Sequence, residues 1–158
     1  WKSHPTLNNV IINNNLSDGA FSEGGGMELW YSNPTLNHVS IGHNTGKKGG
    51  GMYLNLSHPI LNNVIINNNQ ASDNLNGCGG IQLCCSGDNY SKPTLNNVTI
   101  TGNLNIGNPI FDHGGIYFEG GNSNEQIVIM NSIIWGNDGI SETLNNNSMW
   151  TIWITLIR

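Results

Sequence analysis

Four runs of the chain open on Gly-Gly and then alternate apolar side chains with polar or aromatic ones: GGMELW from Gly25, GGMYLN from Gly50, GGIQLC from Gly79 and GGIYFE from Gly114. Aligned on their glycines, they put Glu28, Tyr53, Gln82 and Tyr117 at one position and Trp30, Asn55, Cys84 and Glu119 at another. Alternation with a period of two is strand chemistry, so both positions point to the same side of a sheet. Carboxylates, amides and aromatic rings gathered on one face could bind a sugar chain. The rings would stack on the sugar while the polar groups take its hydroxyls. Glu28, Trp30, Tyr53, Asn55, Gln82, Tyr117 and Glu119 are therefore the candidate ligand-binding residues. An ordinary exposed sheet with favourable stacking accounts for the same pattern.

Catalysis finds less support. A glycosidase needs two carboxyl groups about 5–9.5 Å apart. Glu28 and Glu119 fall three repeats apart, about 14 Å at ~4.8 Å per strand, so no catalytic residue is assigned. The loop carboxylates Glu23, Asp73, Asp88 and Asp112 could approach a cleft. A lyase would want clustered Asp for Ca²⁺ and a basic proton acceptor, but Lys2, Lys47, Lys48, Lys92 and Arg158 are scattered. The five histidines and three cysteines match no zinc spacing, so neither metal nor cofactor is expected. His4 and His58 precede Pro at equivalent positions that Asn33 and Lys92 fill elsewhere, which reads as a tolerant surface site. Cys78, Cys84 and Cys85 cannot all pair within the chain. Cys85 should turn inward as apolar filler, and a Cys78–Cys84 bridge is open.

The elements that must carry these residues follow from an internal repeat. PTLNNVIINNN from Pro5, PTLNHVSIGHN from Pro34, PILNNVIINNN from Pro59, PTLNNVTITGN from Pro93 and IVIMNSIIWGN from Ile127 align. They end at Asn15, Asn44, Asn69, Asn103 and Asn137, with spacings of 29, 25, 34 and 34. The stretch Leu95-x-x-Val98-x-Ile100-x-x-Asn103 fits a leucine-rich-repeat template, but that reading needs a helix in the second half of each repeat. The Gly-Gly alternation there points instead to a right-handed parallel β-helix of about five coils with three short strands per coil. The strands are Gly-Gly, Pro-Thr-Leu and Val-x-Ile. The pairs Asn8-Asn9, Asn37-His38, Asn62-Asn63 and Asn96-Asn97 would turn a corner in left-handed backbone geometry. The Gly pairs would re-enter the sheet through unusual dihedrals. Length variation should sit in loops at Leu16–Glu23, Gln70–Cys78 and Leu104–His113. Residues 1–137 form the repeats, and 138–158 read as a degenerate or truncated terminal coil.

Inward residues should stack in ladders: Leu7, Leu36, Leu61, Leu95; Val10, Val39, Val64, Val98; and Ile12, Ile41, Ile66, Ile100, Ile134. On the Gly-Gly strand they are Met27, Met52, Ile81, Ile116 and, beside them, Leu29, Leu54, Leu83, Phe118.

These motifs, together with Asn131-Ser-Ile-Ile-Trp-Gly-Asn137, resemble the right-handed β-helix repeats of bacterial surface and secreted proteins. The chlamydial polymorphic outer-membrane proteins and large secreted β-helix proteins with anchoring or sorting domains are such groups. The resemblance implies secretion or surface display, an adhesin-like role and no cofactor. Pectin-active β-helix enzymes, which place a cleft against one sheet, supply the alternative of a polysaccharide-active lyase or hydrolase.

Composition narrows the partners. Only 9% of the 158 residues are charged, against about 25% in a typical domain. With 29 Asn and 21 Gly, a helical bundle is excluded. Ten acidic and five basic residues give a net charge of −5, which cannot form the cationic stripe that nucleic acid requires. No stretch is long and apolar enough to be a spanning helix, so membrane insertion is not expected. The expected partner is a polysaccharide or a host or cell-surface glycan; oligomeric state is not legible. Trp1 opens inside a repeat, so the chain reads as a fragment of a longer protein.

Overall fold

The computed structural model describes residues 2–19, 21–74, 76–86, 89–107, 113–119 and 127–137. These residues form a parallel β-helix solenoid and contain no helix, so the leucine-rich reading is set aside. The expected terminal coil at 138–158 lies outside the described residues.

Each coil contributes one strand to each of three faces. Thr6–Asn8, Thr35–Asn37, Ile60–Asn62, Thr94–Asn96 and Val128–Met130 make the first sheet. Ile11–Asn13, Ser40–Gly42, Ile65–Asn67, Thr99–Thr101 and Ile133–Ile134 make the second. Met27–Trp30, Met52–Asn55, Ile81–Ser86 and Ile116–Glu119 pair in parallel as the third. A fourth ladder of two-residue strands, Thr45–Gly46, Gln70–Ala71 and Leu104–Asn105, occupies ground that the sequence suggested was loop.

Register follows chemistry. Leu7 pairs with Leu36, Leu36 with Leu61, Leu61 with Leu95, and Leu95 with Ile129. Ile12, Ile41, Ile66, Ile100 and Ile134 pair in the same way on the second sheet. A slip of one residue would turn every one of these side chains outward. The expected ladders pack into one hydrophobic core: Leu36, Ile41, Leu54, Leu61, Ile66, Leu95 and Ile100 are fully buried, and Leu7, Val10, Ile12, Met27 and Ile134 pack against them.

Polar ladders turn the corners. Asn9, His38, Asn63, Asn97 and Asn131 have φ of 50 to 55° between the first and second sheets. Asn14, His43 and Asn68 do the same at the next corner, where Gly102 and Gly136 take over at φ 64°. Asn tolerates this geometry because its short polar side chain bonds locally.

Two expectations need correction. The Gly-Gly pairs do not take positive φ, which among the described glycines belongs to Gly102 and Gly136. They are needed for close approach: a Cβ on Gly50 would lie 2.5 Å from the Gln70 carbonyl oxygen and 2.6 Å from that of Gly79. Length variation also has a second location. The strand Ile81–Ser86 runs on past its neighbours and folds back antiparallel onto Asn89–Tyr90, with Cys85 opposite Tyr90.

Candidate functional site

The third sheet places the candidate residues in the two predicted rows. Glu28 pairs with Tyr53, Tyr53 with Gln82, and Gln82 with Tyr117. Trp30, Asn55, Cys84 and Glu119 form the parallel row. Register therefore brings all seven onto one face. Glu28 and Glu119 stand in different rows at opposite ends of the sheet. The Glu119 and Cys85 side chains lie outside the described residues.

Exposure divides this face. Tyr53 is 2% exposed, Gln82 0% and Asn55 8%, so the middle coils do not offer the open sheet that alternation suggested. The segment leading into the second Gly-Gly strand lies against Tyr53. The Lys48 ammonium lies 5.7 Å from the centre of the Tyr53 ring, and the Trp30 ring is 6.3 Å from it, tilted. Burial, and then contact with Cys84, push the Tyr53 phenol well above its ordinary range. Tyr53 is thus a neutral, enclosed ring.

Trp30, Cys84 and Tyr117 on this face are half-buried. Glu28 is exposed, yet its carboxylate is fixed by three donors. The Trp30 indole N–H gives a hydrogen bond of 2.6 Å to Oε1, and the Glu23 and Gly24 amides reach Oε2 at 3.1 and 3.3 Å. A bond to an ionised acceptor is about twice as strong as a neutral one, so this carboxylate is preorganised. Glu23 in turn meets Lys48 at 3.4 Å. That contact is ionic rather than a directed hydrogen bond, since Glu23 Oε2 accepts none among the described residues.

Glu23 and Lys48 were not among the site residues expected from sequence. The signal was available: each stands two residues before the first Gly of a Gly-Gly motif, at Gly25 and Gly50. Opposite charges at equivalent positions of successive coils must face each other, and bridge pairing of Gly24 with Gly49 enforces it. At the other end of the sheet His113 stacks on Tyr117 with ring centres 4.0 Å apart, and the Tyr117 hydroxyl donates to Asn76 Oδ1 at 3.5 Å. Desolvation holds the His113 ring below its ordinary value.

Asp73 accepts the Asn76 amide in a local turn, and Asp88 and Asp112 lie outside the described residues. Among the described residues no group of three or more His, Cys, Asp or Glu side chains could hold a metal ion. Cys78 and Cys84 are not bridged to each other, and burial pushes Cys78 up to about 12. His4 and His58 hold coils together: their Nδ1 atoms accept the backbone N–H of Asn33 and of Lys92, each at 3.0 Å.

No protein-family model matches this chain, and no curated protein or solved structure is detectably similar to it.

Proposed function

We propose that the chain is a non-enzymatic extracellular β-helix scaffold, adhesin-like and glycan-binding, secreted or displayed on a bacterial surface. The observation that supports this most is the Glu28–Trp30 pair. It joins a carboxylate held by three donors to an aromatic side chain. Aromatic stacking plus fixed acceptors is the chemistry that orients a sugar. The enclosed Tyr53 and the Glu23–Lys48 pair support the Glu28–Trp30 pair from beneath.

One observation favours a second reading, part of a polysaccharide-active enzyme. The Glu23 amide bonds to Glu28, which sets two carboxylate residues side by side with Lys48 next to them. Incubation with pectate, alginate and neutral glycans, with and without Ca²⁺, separates the two readings. Unsaturated-uronate absorbance, new reducing ends and retention on each polymer would be read together. Retention without product supports the scaffold; product formation overturns it in favour of the enzyme.

A further inference from the structure

We propose that Asn76 is a self-modification site: in the folded chain its side chain cyclises onto the Gly77 backbone nitrogen and opens to aspartate and isoaspartate. Asn76-Gly77 is the one Asn-Gly step in a sequence with 29 Asn. Cyclisation requires that the N–H of the following residue be free to attack and that the side-chain amide be free to leave. Among the described residues neither the Gly77 N–H nor the Asn76 Nδ2 makes a hydrogen bond. Asn76 is half-buried in a turn. Its own N–H reaches Asp73 Oδ1 at 3.4 Å, and its Oδ1 accepts the Tyr117 hydroxyl at 3.5 Å. That donor stands on the oxygen where negative charge develops during attack. Gly77 carries no Cβ beside the attacking nitrogen, and its dihedrals are free to bring that nitrogen round.

Ladder and corner asparagines fail one condition or the other. In the buried column the Nδ2 hydrogens of Asn44, Asn69 and Asn103 are held by Oδ1 of the next Asn and by backbone carbonyls. The attacking N–H is held there too: Thr45 gives it to the Asn15 carbonyl, Gln70 to that of Asn44 and Leu104 to that of Asn69. The exposed corner residues Asn63 and Asn97 are followed by Val, whose branched Cβ crowds the attack.

The chemistry needs only water. The Gly77 nitrogen bonds to Asn76 Cγ and gives up its proton, and ammonia leaves, closing a five-membered imide. Water then adds to one imide carbonyl. Opening at Cγ gives aspartate, and opening at the main-chain carbonyl gives isoaspartate, which routes the backbone through Cβ. The product adds a carboxylate two residues before Cys78, whose N–H bonds the Lys48 carbonyl at 2.6 Å at the edge of the third sheet.

The test ages the whole chain at mildly alkaline pH in water labelled with heavy oxygen, once native and once in guanidinium chloride, and maps peptides for isoaspartate and label. In the native chain both products should appear at Asn76 ahead of every other described asparagine, each with one labelled oxygen. The native rate should fall within about a hundredfold of the denatured one, whereas conversion that waits for unfolding would be slowed about a thousandfold or more. A slower native rate, faster conversion at a ladder or corner asparagine, or a product lacking isoaspartate and label overturns the proposal.

Discussion

Asn69 donates its side-chain amide to Asn103 Oδ1 at 2.9 Å, and its backbone N–H reaches the same oxygen at 3.0 Å. The second amide hydrogen goes back to the Ile41 carbonyl at 3.0 Å. Asn44 treats Asn69 in the same way from the coil before. Every donor and acceptor of this buried amide is therefore used. Asn15, Asn44, Asn69, Asn103 and Asn137 form one such column.

Breaking that column should be costly. Asn69→Ala leaves two donors of Asn44 short of a partner, and the Asn103 Oδ1 and the Ile41 carbonyl each lose one donor. At about 1–3 kcal/mol for each buried orphan, the loss should be at least about 2 kcal/mol. Asn69→Asp should also destabilise, because a carboxylate cannot donate to Asn103 or Ile41. Asn62→Ala, in the solvent-facing ladder between Asn37 and Asn96, should cost less than about 1 kcal/mol. Urea midpoints of the three variants give the comparison; similar losses at Asn62 and Asn69 would contradict it.

Ile65 and Ile66 are adjacent and alike, yet one is 48% exposed and the other 0%. Ile66→Ala should cost about 2–5 kcal/mol, and Ile65→Ala about 0.5 kcal/mol or less. Thermal melts would show the difference, and a reversed order would mean that the second sheet is out of register.

Gly50→Ala should destabilise by several kcal/mol, on the order of an overpacked core site. The atoms a Cβ would meet are backbone carbonyls of neighbouring strands, which no rotamer change can move aside. A melting temperature unchanged from wild type would count against the close approach.

This division of labour was only partly legible in the sequence. The hydrophobic columns were readable because the Leu, Val and Ile of Leu61, Val64 and Ile66 recur at fixed offsets in the four coils that open on Pro, and a period of two leaves no second choice of face. The corner Asn residues were readable because Asn63 has few competitors for left-handed geometry. Exposure of the candidate face was not. Whether Tyr53 and Gln82 see solvent depends on where the segments before each Gly-Gly pair lie, and alternation within a strand says nothing of that. The His58 position read as tolerant because its residue type changes from coil to coil. Its task, accepting the backbone N–H of the following coil, can be met by His or by Asn.

That task has a pH consequence. Desolvation and then the charge of Lys92 hold His58 below the ordinary value of 6.5, and desolvation lowers His113 likewise. The native state then binds fewer protons than the unfolded chain between the folded values and 6.5. Stability therefore rises with pH across that window. It is fully present above about 6.5 and lost as pH falls through the folded values. His58→Asn, which copies Asn33 one coil earlier, should flatten the acid side of a melting-temperature profile. An equally steep profile in that variant would remove His58 from the account.

The most direct test of the central claim compares two tryptophans, one half-buried and one exposed. Trp30 belongs to the proposed binding end of the third sheet, whereas Trp135 is 69% exposed beyond the last strand of the second. Retention of Trp30→Ala, Trp135→Ala and wild type on immobilised pectate, alginate and neutral glycans should be measured with folding checked in parallel. The account predicts at least about tenfold weaker retention for Trp30→Ala and unchanged retention for Trp135→Ala. Equal retention of both variants, or loss confined to Trp135→Ala, would contradict it.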